Sequence, residues 1–235
     1  MPKRIVITGG SKGIGRALIE KFISEGYDVA TCSRNAQDLN SLQDVFSTQY
    51  PEREFIAYPC DVSKADSIIS WCNLIRTKWD KFDILINNAG TFFPGSVLSE
   101  AESDLLVQLD TNLLSAYRFT RALIPLIYKN GQGHIFNLCS IASQKAYPNG
   151  GAYTISKFAV YGFSKCLREE LKQTAIKVTA VLPGATWSDS WKESSFTQED
   201  MIAANDIAEL IWSCSRLSKQ AVVEEIIIRP QGGDL

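Results

Sequence analysis

The sequence predicts a doubly wound α/β fold, a seven-stranded and mostly parallel sheet with helices on both faces. Three observations predict it. Short Val- and Ile-rich runs recur along the 235 residues and are not polar on alternate residues, which is the signature of strands buried on both faces. Segments with apolar residues at helical spacing lie between these runs. A glycine-rich turn separates the first run from the first helical segment. Parallel strands that alternate with helices need right-handed crossovers, which cover the sheet from both sides and give three layers.

The first strand is expected over Arg4–Thr8, followed by Thr8-Gly9-Gly10-Ser11-Lys12-Gly13-Ile14-Gly15 and a helix over Ile14–Glu25. The second strand follows over Tyr27–Cys32, and Asp38 begins the next helix. A third strand over Glu54–Cys60 leads to a helix over Ala65–Trp79, and a fourth over Asp83–Asn87 leads to one long helix, Asp104–Tyr128. Gly133–Cys139 is the fifth strand, Tyr153–Lys172 the next helix and Lys177–Leu182 the sixth strand. Asp206 is expected to cap a last helix through Ser215, before a seventh strand over Glu225–Arg229. No linker, repeat or shift in charge balance divides the chain. Residues 1–235 therefore read as one domain, with a short substrate loop at about residues 186–200.

Composition narrows the function. With 45% hydrophobic and 21% charged residues the chain can bury a sizeable core. A net charge of −2 gives no electrostatic footprint for nucleic acid or an anionic membrane. No apolar run approaches the roughly 18–20 residues of a membrane span, and Ile5–Ile7 is too short for a signal-peptide core, so the protein is expected in the cytoplasm. Six cysteines without a Cys-x-x-Cys pair read as buried small hydrophobes in a reducing compartment. The one histidine, His134, excludes a His-rich metal site, and no metal is expected. His134 lies six residues before Ser140, about 20 Å along an extended strand, which disfavours acyl transfer by a Ser–His pair.

The glycine-rich turn carries the first chemistry. A helix N-terminus leaves N–H groups unpaired and bears partial positive charge, so it attracts a pyrophosphate. Glycines let the backbone turn tightly and approach such a ligand closely. The spacing is T-G-x-x-x-G-x-G rather than the common G-x-G-x-x-G. Asn87-Asn88-Ala89-Gly90 follows the fourth strand, and Asn112 lies in the long helix after it. Ser140 ends the fifth strand, Tyr153-x-x-x-Lys157 opens the next helix, and Pro183-Gly184 follows the sixth strand. With these motifs in this order the chain resembles the short-chain dehydrogenase/reductase family over about residues 3–230, which implies a single Rossmann-like domain that binds a nicotinamide dinucleotide.

The end of the second strand speaks to the choice of cofactor. An acidic residue there binds the ribose 2′-hydroxyl of NAD, whereas a nearby Arg accommodates the 2′-phosphate of NADP. This chain has Cys32-Ser33-Arg34 and no carboxylate. Ser33 can donate to a phosphate and Arg34 can pair with it bidentately. Basic residues at Lys12 and Arg34 resemble the NADP-preferring members, so NADP(H) is expected; the alternative is that both are solvated surface charges. The resemblance places Asp61 and Val62 at the adenine and Gly9, Ser11, Gly13, Ile14 and Gly15 at the phosphates. It further places Asn88, Ala89 and Gly90 along the cofactor, and Pro183, Gly184, Thr186 and Ser188 near its carboxamide. Thr186 and Ser188 depart from the small aliphatic residue and the threonine usual at these positions.

Tyr153 and Lys157 are four residues apart and share one helix face. A phenol has a reference pKa of about 10, and an ammonium one turn away favours its ionised form. The resemblance implies Tyr153 as proton donor and Lys157 as the group that tunes it and holds the nicotinamide ribose. It implies that Ser140 polarises the substrate oxygen and that Asn112 keeps a water in a proton relay. The reaction expected is NADPH-dependent reduction of a ketone or aldehyde, of the carbonyl reductase type. The alternatives are a 3-oxoacyl thioester reductase and a non-catalytic NADP(H)-binding regulator. The C-terminal Pro230-Gln231-Gly232-Gly233 lacks the Thr-Gly-Gln approach that 3-oxoacyl reductases often carry, which weakens the thioester reading.

Phe92, Phe93, Tyr147, Trp187, Trp191 and Phe196 either wall a substrate pocket or pack the core and a subunit contact. By resemblance a homodimer or homotetramer is expected through the two long helices. An apolar outer stripe with Phe158, Tyr161 and Leu167 suits that contact, and helix-to-sheet packing explains the same residues.

Overall fold

The computed structural model describes residues 2–187 and 197–233. The strands are β1 (Arg4–Thr8), β2 (Asp28–Ser33), β3 (Phe55–Pro59), β4 (Ile84–Asn87), β5 (Gly133–Leu138), β6 (Ile176–Pro183) and β7 (Glu225–Ile228). They form one sheet in the order β3-β2-β1-β4-β5-β6-β7, and every pairing is parallel. The helices are α1 (Gly13–Ser24), α2 (Ala36–Gln49), α3 (Ala65–Lys78), α4 (Glu102–Gln108), α5 (Ser115–Asn130), α6 (Gly151–Leu171) and α7 (Ala204–Ser215).

Alternation along the strands builds two cores. Ile5, Ile7 and Val29 point to the face where Phe22 of α1, Phe46 of α2 and Ile207 of α7 are buried. Val6 and Ala30 point to the other face, against Trp71 of α3, Phe119 of α5 and Leu167 of α6. A strand covered on both sides has no polar face to display.

The sequence order reverses between β1 and β4, where the chain leaves neighbouring strands toward opposite faces. Ligands of open α/β sheets bind outside the carboxyl ends of the strands at such a switch point.

Three expectations are corrected. The long helix is not one element: α4 and α5 are joined by a π-helical segment, Leu109–Leu114, which contains Asn112. Asp206 does not cap α7. The N-cap position is Ala203, and Asp206 sits in the first turn, where its charge still favours the helix dipole. The cysteines are all free thiols, but only Cys32, Cys60, Cys72 and Cys139 are buried, and Cys166 on α6 is exposed.

Candidate active site

The turn after β1 needs its glycines for two different reasons. Gly9 and Gly13 have φ of 71° and 54°, the left-handed region that glycine enters without a Cβ penalty. Gly15 is needed for space, because a Cβ there would lie 2.1 Å from the carbonyl oxygen of Gly9. Lys12 occupies the N-cap position of α1 and no side chain caps the helix, which leaves first-turn N–H groups for an anionic ligand.

This turn is bound to the one after β4. Thr8 Oγ1 accepts the N–H groups of Asn88 and Ala89, both at 3.0 Å. The Asn88 side-chain amide donates to the carbonyls of Thr8 and Gly9 at 2.9 and 3.0 Å. Together they frame a cleft of about 580 Å³ that runs from Gly9, Ser11 and Gly15 to Ser33, Arg34, Asp61 and Val62. The space beside these glycines and its length across the switch point fit a dinucleotide.

At the far end of the cleft, Arg34 is exposed. Lys12 Nζ stands 3.8 Å from Asp38 Oδ2, so the Lys12 charge is shared with a carboxylate. The Asp61 carboxyl accepts the Ser63 hydroxyl at 2.7 Å and the Ser63 N–H at 3.1 Å. These bonds, the side-chain one first, and the nearby charges of Lys64 and Arg34 lower its pKa and keep it ionised.

A second cavity of about 680 Å³ adjoins the first, and Ile14, Asn88, Gly90, Thr91 and Thr186 line both. Ser140, Tyr153 and Lys157 stand in its wall. Lys157 is 6% exposed, and its ammonium donates to the carbonyl of Leu138 at 2.8 Å. The Lys157 Nζ lies 5.7 Å from the centre of the Tyr153 ring, and Phe92 meets that ring edge-on at 5.0 Å. Ser140 lies just beyond β5 and N-caps a single turn, Ile141–Ser143, where its Oγ accepts the N–H of Ala142 at 3.1 Å.

Asn112 is buried and does not line either cavity. Its Oδ1 accepts the N–H of Thr91 at 2.7 Å, while its amide donates to the Thr91 carbonyl at 3.0 Å and to Ser156 Oγ at 2.8 Å. A π segment adds one residue to a turn, and such segments mark functional sites. Here the segment holds a side chain that ties the irregular stretch following Gly90 to α6. Thr186 lines both cavities and its hydroxyl donates to the Gly184 carbonyl at 3.0 Å. Ser188, Trp191 and Phe196 lie outside the described residues.

Two residues of the site were not singled out from the sequence. Thr91 sits where the cavities meet, and nothing but its place after Gly90 marks it. Ser143 accepts the Ser140 N–H at 3.2 Å and donates to the Lys157 carbonyl at 2.8 Å, so it holds the Ser140 turn against the Lys157 turn. The Ser140-x-x-Ser143 spacing of a capping box was the available signal. His134 is not brought to Ser140: its Nε2 is 2.7 Å from Thr179 Oγ1, inside the sheet. Among the described residues no group of three His, Cys, Asp or Glu could hold a metal ion, and no helix is long and apolar enough to cross a membrane.

A parallel sheet, a glycine turn at its switch point and a Tyr–Lys pair in the adjoining cavity define a dinucleotide-binding α/β protein. More narrowly, the family model described as short chain dehydrogenase matches residues 3–199, and the chain belongs to the short-chain dehydrogenase family of oxidoreductases. It is 30% identical to a sepiapterin reductase of Chlorobaculum tepidum, over 98% of this chain and 97% of that one. It is 27% identical to an NADP-dependent 3-hydroxy acid dehydrogenase of Escherichia coli, over 96% and 94%. Among solved structures, a metagenomic short-chain oxidoreductase in complex with NADP superposes with a TM-score of 0.84 at 27% identity, covering 97% of each chain. An alcohol dehydrogenase of Thermococcus sibiricus complexed with 5-hydroxy-NADP superposes with a TM-score of 0.88 at 25% identity, again covering 97% of each chain.

Proposed function

We propose that the protein reduces an uncharged ketone or aldehyde to the alcohol with NADPH, and that Tyr153 supplies the proton. The observation that carries this reading is the position of the Tyr153–Lys157 pair. It faces the second cavity, and a Cβ on Gly90, where the two cavities join, would lie 3.7 Å from Lys157 Nζ. A bound nicotinamide supplies the hydride. The chain does the rest: Ser140 Oγ donates to the carbonyl oxygen and fixes its direction, and the Tyr153 hydroxyl delivers its proton to the same oxygen as charge builds there. Lys157, held by Leu138, stabilises the phenolate left behind. Asn112 fixes Thr91 and the base of α6, and a water at its carboxamide oxygen would complete the relay that returns the proton.

NADP(H) is the cofactor supported by the neighbours that hold it and by Ser33 and Arg34 at the end of β2, where no carboxylate opposes a 2′-phosphate. The substrate class follows from the walls. Among the described lining residues Lys157 is the only Asp, Glu, Lys, Arg or His, and Phe92, Ile141, Tyr147 and Pro148 are apolar or aromatic. Such a cavity suits a flat or aliphatic carbonyl without charge. The proposal places the enzyme in the cytoplasm as a single domain and a homodimer or homotetramer. Of the expected outer stripe, Phe158 is exposed and suits a subunit contact. Leu167 is buried in the core, and the Tyr161 hydroxyl donates to Glu225 at 2.5 Å.

The test is a panel of ketones, diketones, pteridines and oxoacyl thioesters, followed by NADPH absorbance, with Tyr153→Phe in parallel. The parent is expected to oxidise NADPH with an uncharged carbonyl. The variant is expected to lose about a hundredfold or more in kcat while binding NADPH as before. Turnover with oxoacyl thioesters alone would select the thioester alternative, and binding without turnover of any carbonyl would select the regulator. A Tyr153→Phe enzyme with parent turnover would remove the proton donor.

A further inference from the structure

The first turn of α6, which carries Tyr153, has no cap of its own. Gly150 at the N-cap position offers no side-chain oxygen, and no residue of the first turn is acidic. The segment after β4 supplies what is missing. Glu100 Oε2 accepts the N–H of Ala152 at 3.2 Å, one residue before Tyr153. A carboxylate at that place satisfies a first-turn donor and faces the positive end of the helix.

Two glycines make room for this carboxylate. A Cβ on Gly95 would lie 2.7 Å from Glu100 Oε2, and a Cβ on Gly151 would lie 3.0 Å from Glu100 Oε1 and 2.9 Å from the Val97 nitrogen. Neither glycine has a positive φ, so close approach, not backbone conformation, calls for them. The same segment is pinned by two backbone bonds at Gly95. Gly95 donates to the Asn149 carbonyl and Gly151 donates to the Gly95 carbonyl, each at 2.9 Å. Asn149 is held at φ 57°, the left-handed region. Nearer β4 the segment carries Phe92, whose ring packs edge-on against Tyr153.

We propose that Glu100 is a positioning residue for Tyr153: its carboxylate clasps the segment after β4 to the first turn of α6 and so sets the phenol against Phe92 and the substrate cavity. The inference rests on the reading of Tyr153 as proton donor. It adds a residue that touches neither cofactor nor substrate and acts on the reaction only through the turn it holds.

The test uses Glu100→Ala, Glu100→Asp and Glu100→Gln in the full-length protein, with benzil as an uncharged aromatic diketone, and hydrogen exchange of residues 151–156 as a readout that needs no substrate. Ala and Asp, which remove or shorten the acceptor, are expected to lower kcat about tenfold or more with the KM for NADPH within about twofold of the parent. They are expected to raise the solvent deuterium isotope effect on kcat and to speed exchange across 151–156. Gln keeps an acceptor oxygen at the same reach and is expected to hold kcat within about threefold of the parent. Parent exchange and parent kcat in Glu100→Asp would overturn the proposal, as would an equal loss of kcat and NADPH binding in all three variants, which marks a purely structural contact. If Glu100→Ala does not fold, Asp and Gln decide between these outcomes. Inactive Tyr153→Phe beside parent-like Glu100→Asp would defeat the positioning role alone, whereas active Tyr153→Phe would defeat the proton donor itself.

Discussion

Lys157 and Leu138 are joined by a single hydrogen bond of 2.8 Å that fixes a buried ammonium at the carboxyl end of β5. The ammonium of a residue that is only 6% exposed needs an acceptor, and the Leu138 carbonyl is the one the strand end provides. The bond sets where the positive charge stands relative to Tyr153. Lys157→Met keeps an unbranched side chain, one atom shorter, and removes both donor and charge. It is expected to lower kcat by about a hundredfold or more and to cost about 1–3 kcal/mol through the unpaired carbonyl. Steady-state kinetics and urea unfolding of the same preparation check the two effects separately.

Arg34 lies exposed at the far wall of the cleft, whereas Lys12 stands beside Asp38. The two basic residues are therefore unequal. Arg34→Ala is expected to raise the KM for NADPH about tenfold and leave the KM for NADH nearly unchanged. Lys12→Ala is expected to have the smaller effect. The ratio of kcat/KM for the two cofactors in each variant is the measurement, and an unchanged ratio in Arg34→Ala would remove that residue from the 2′-phosphate.

Gly15 and Gly162 make a matched pair of substitutions. A Cβ on Gly15 meets backbone at 2.1 Å, whereas a Cβ on Gly162, in the interior of α6, meets nothing within 4 Å. Gly15→Ala is expected to abolish NADPH binding in a fluorescence titration. Gly162→Ala is expected to stabilise the protein by about 0.5–1 kcal/mol, visible as a raised Tm with binding intact.

The strands were legible because burial on both faces leaves only short Val and Ile runs, and each observed strand overlaps its expected range. The glycine turn, Ser140, Tyr153 and Lys157 were legible because each is tied to the end of a strand or the start of a helix. The π segment was not. Its side chains keep the apolar spacing of the helices on either side, and a change from i+4 to i+5 bonding leaves no mark in composition. Asp206 has the residue type of a cap but stands inside the first turn, because the chain enters α7 at Ala203. Glu100 was invisible for another reason: it meets Ala152 across 52 residues of sequence, and no local pattern reports such a contact.

His134 gives the chain a pH dependence whose sign can be worked out. The Thr179 hydroxyl donates to the Val223 carbonyl at 2.6 Å, so its oxygen is left to accept from His134 Nε2 at 2.7 Å. The proton of the neutral ring therefore sits on Nε2. Nδ1 is bare, and among the described residues it has no partner. Protonating it would bury an N–H without an acceptor and a charge inside the sheet. Burial first, and the charge of Lys177 second, push the His134 pKa down to about 3. The unfolded chain takes up this proton near pH 6.5 and the native protein does not. The associated stability is thus fully present above about pH 6.5 and is lost as pH falls toward about 3, by about 1.4 kcal/mol per unit. His134→Gln removes the titration. Gln is expected to be less stable than the parent at pH 7, because it leaves the stacking on Phe136, and the gap is expected to shrink by about 2–3 kcal/mol at pH 4.5. Carboxylates titrate alike in both proteins, so the difference between their urea midpoints isolates His134. A gap that stays constant from pH 7 to 4.5 would show that the buried imidazole does not govern the acid limb.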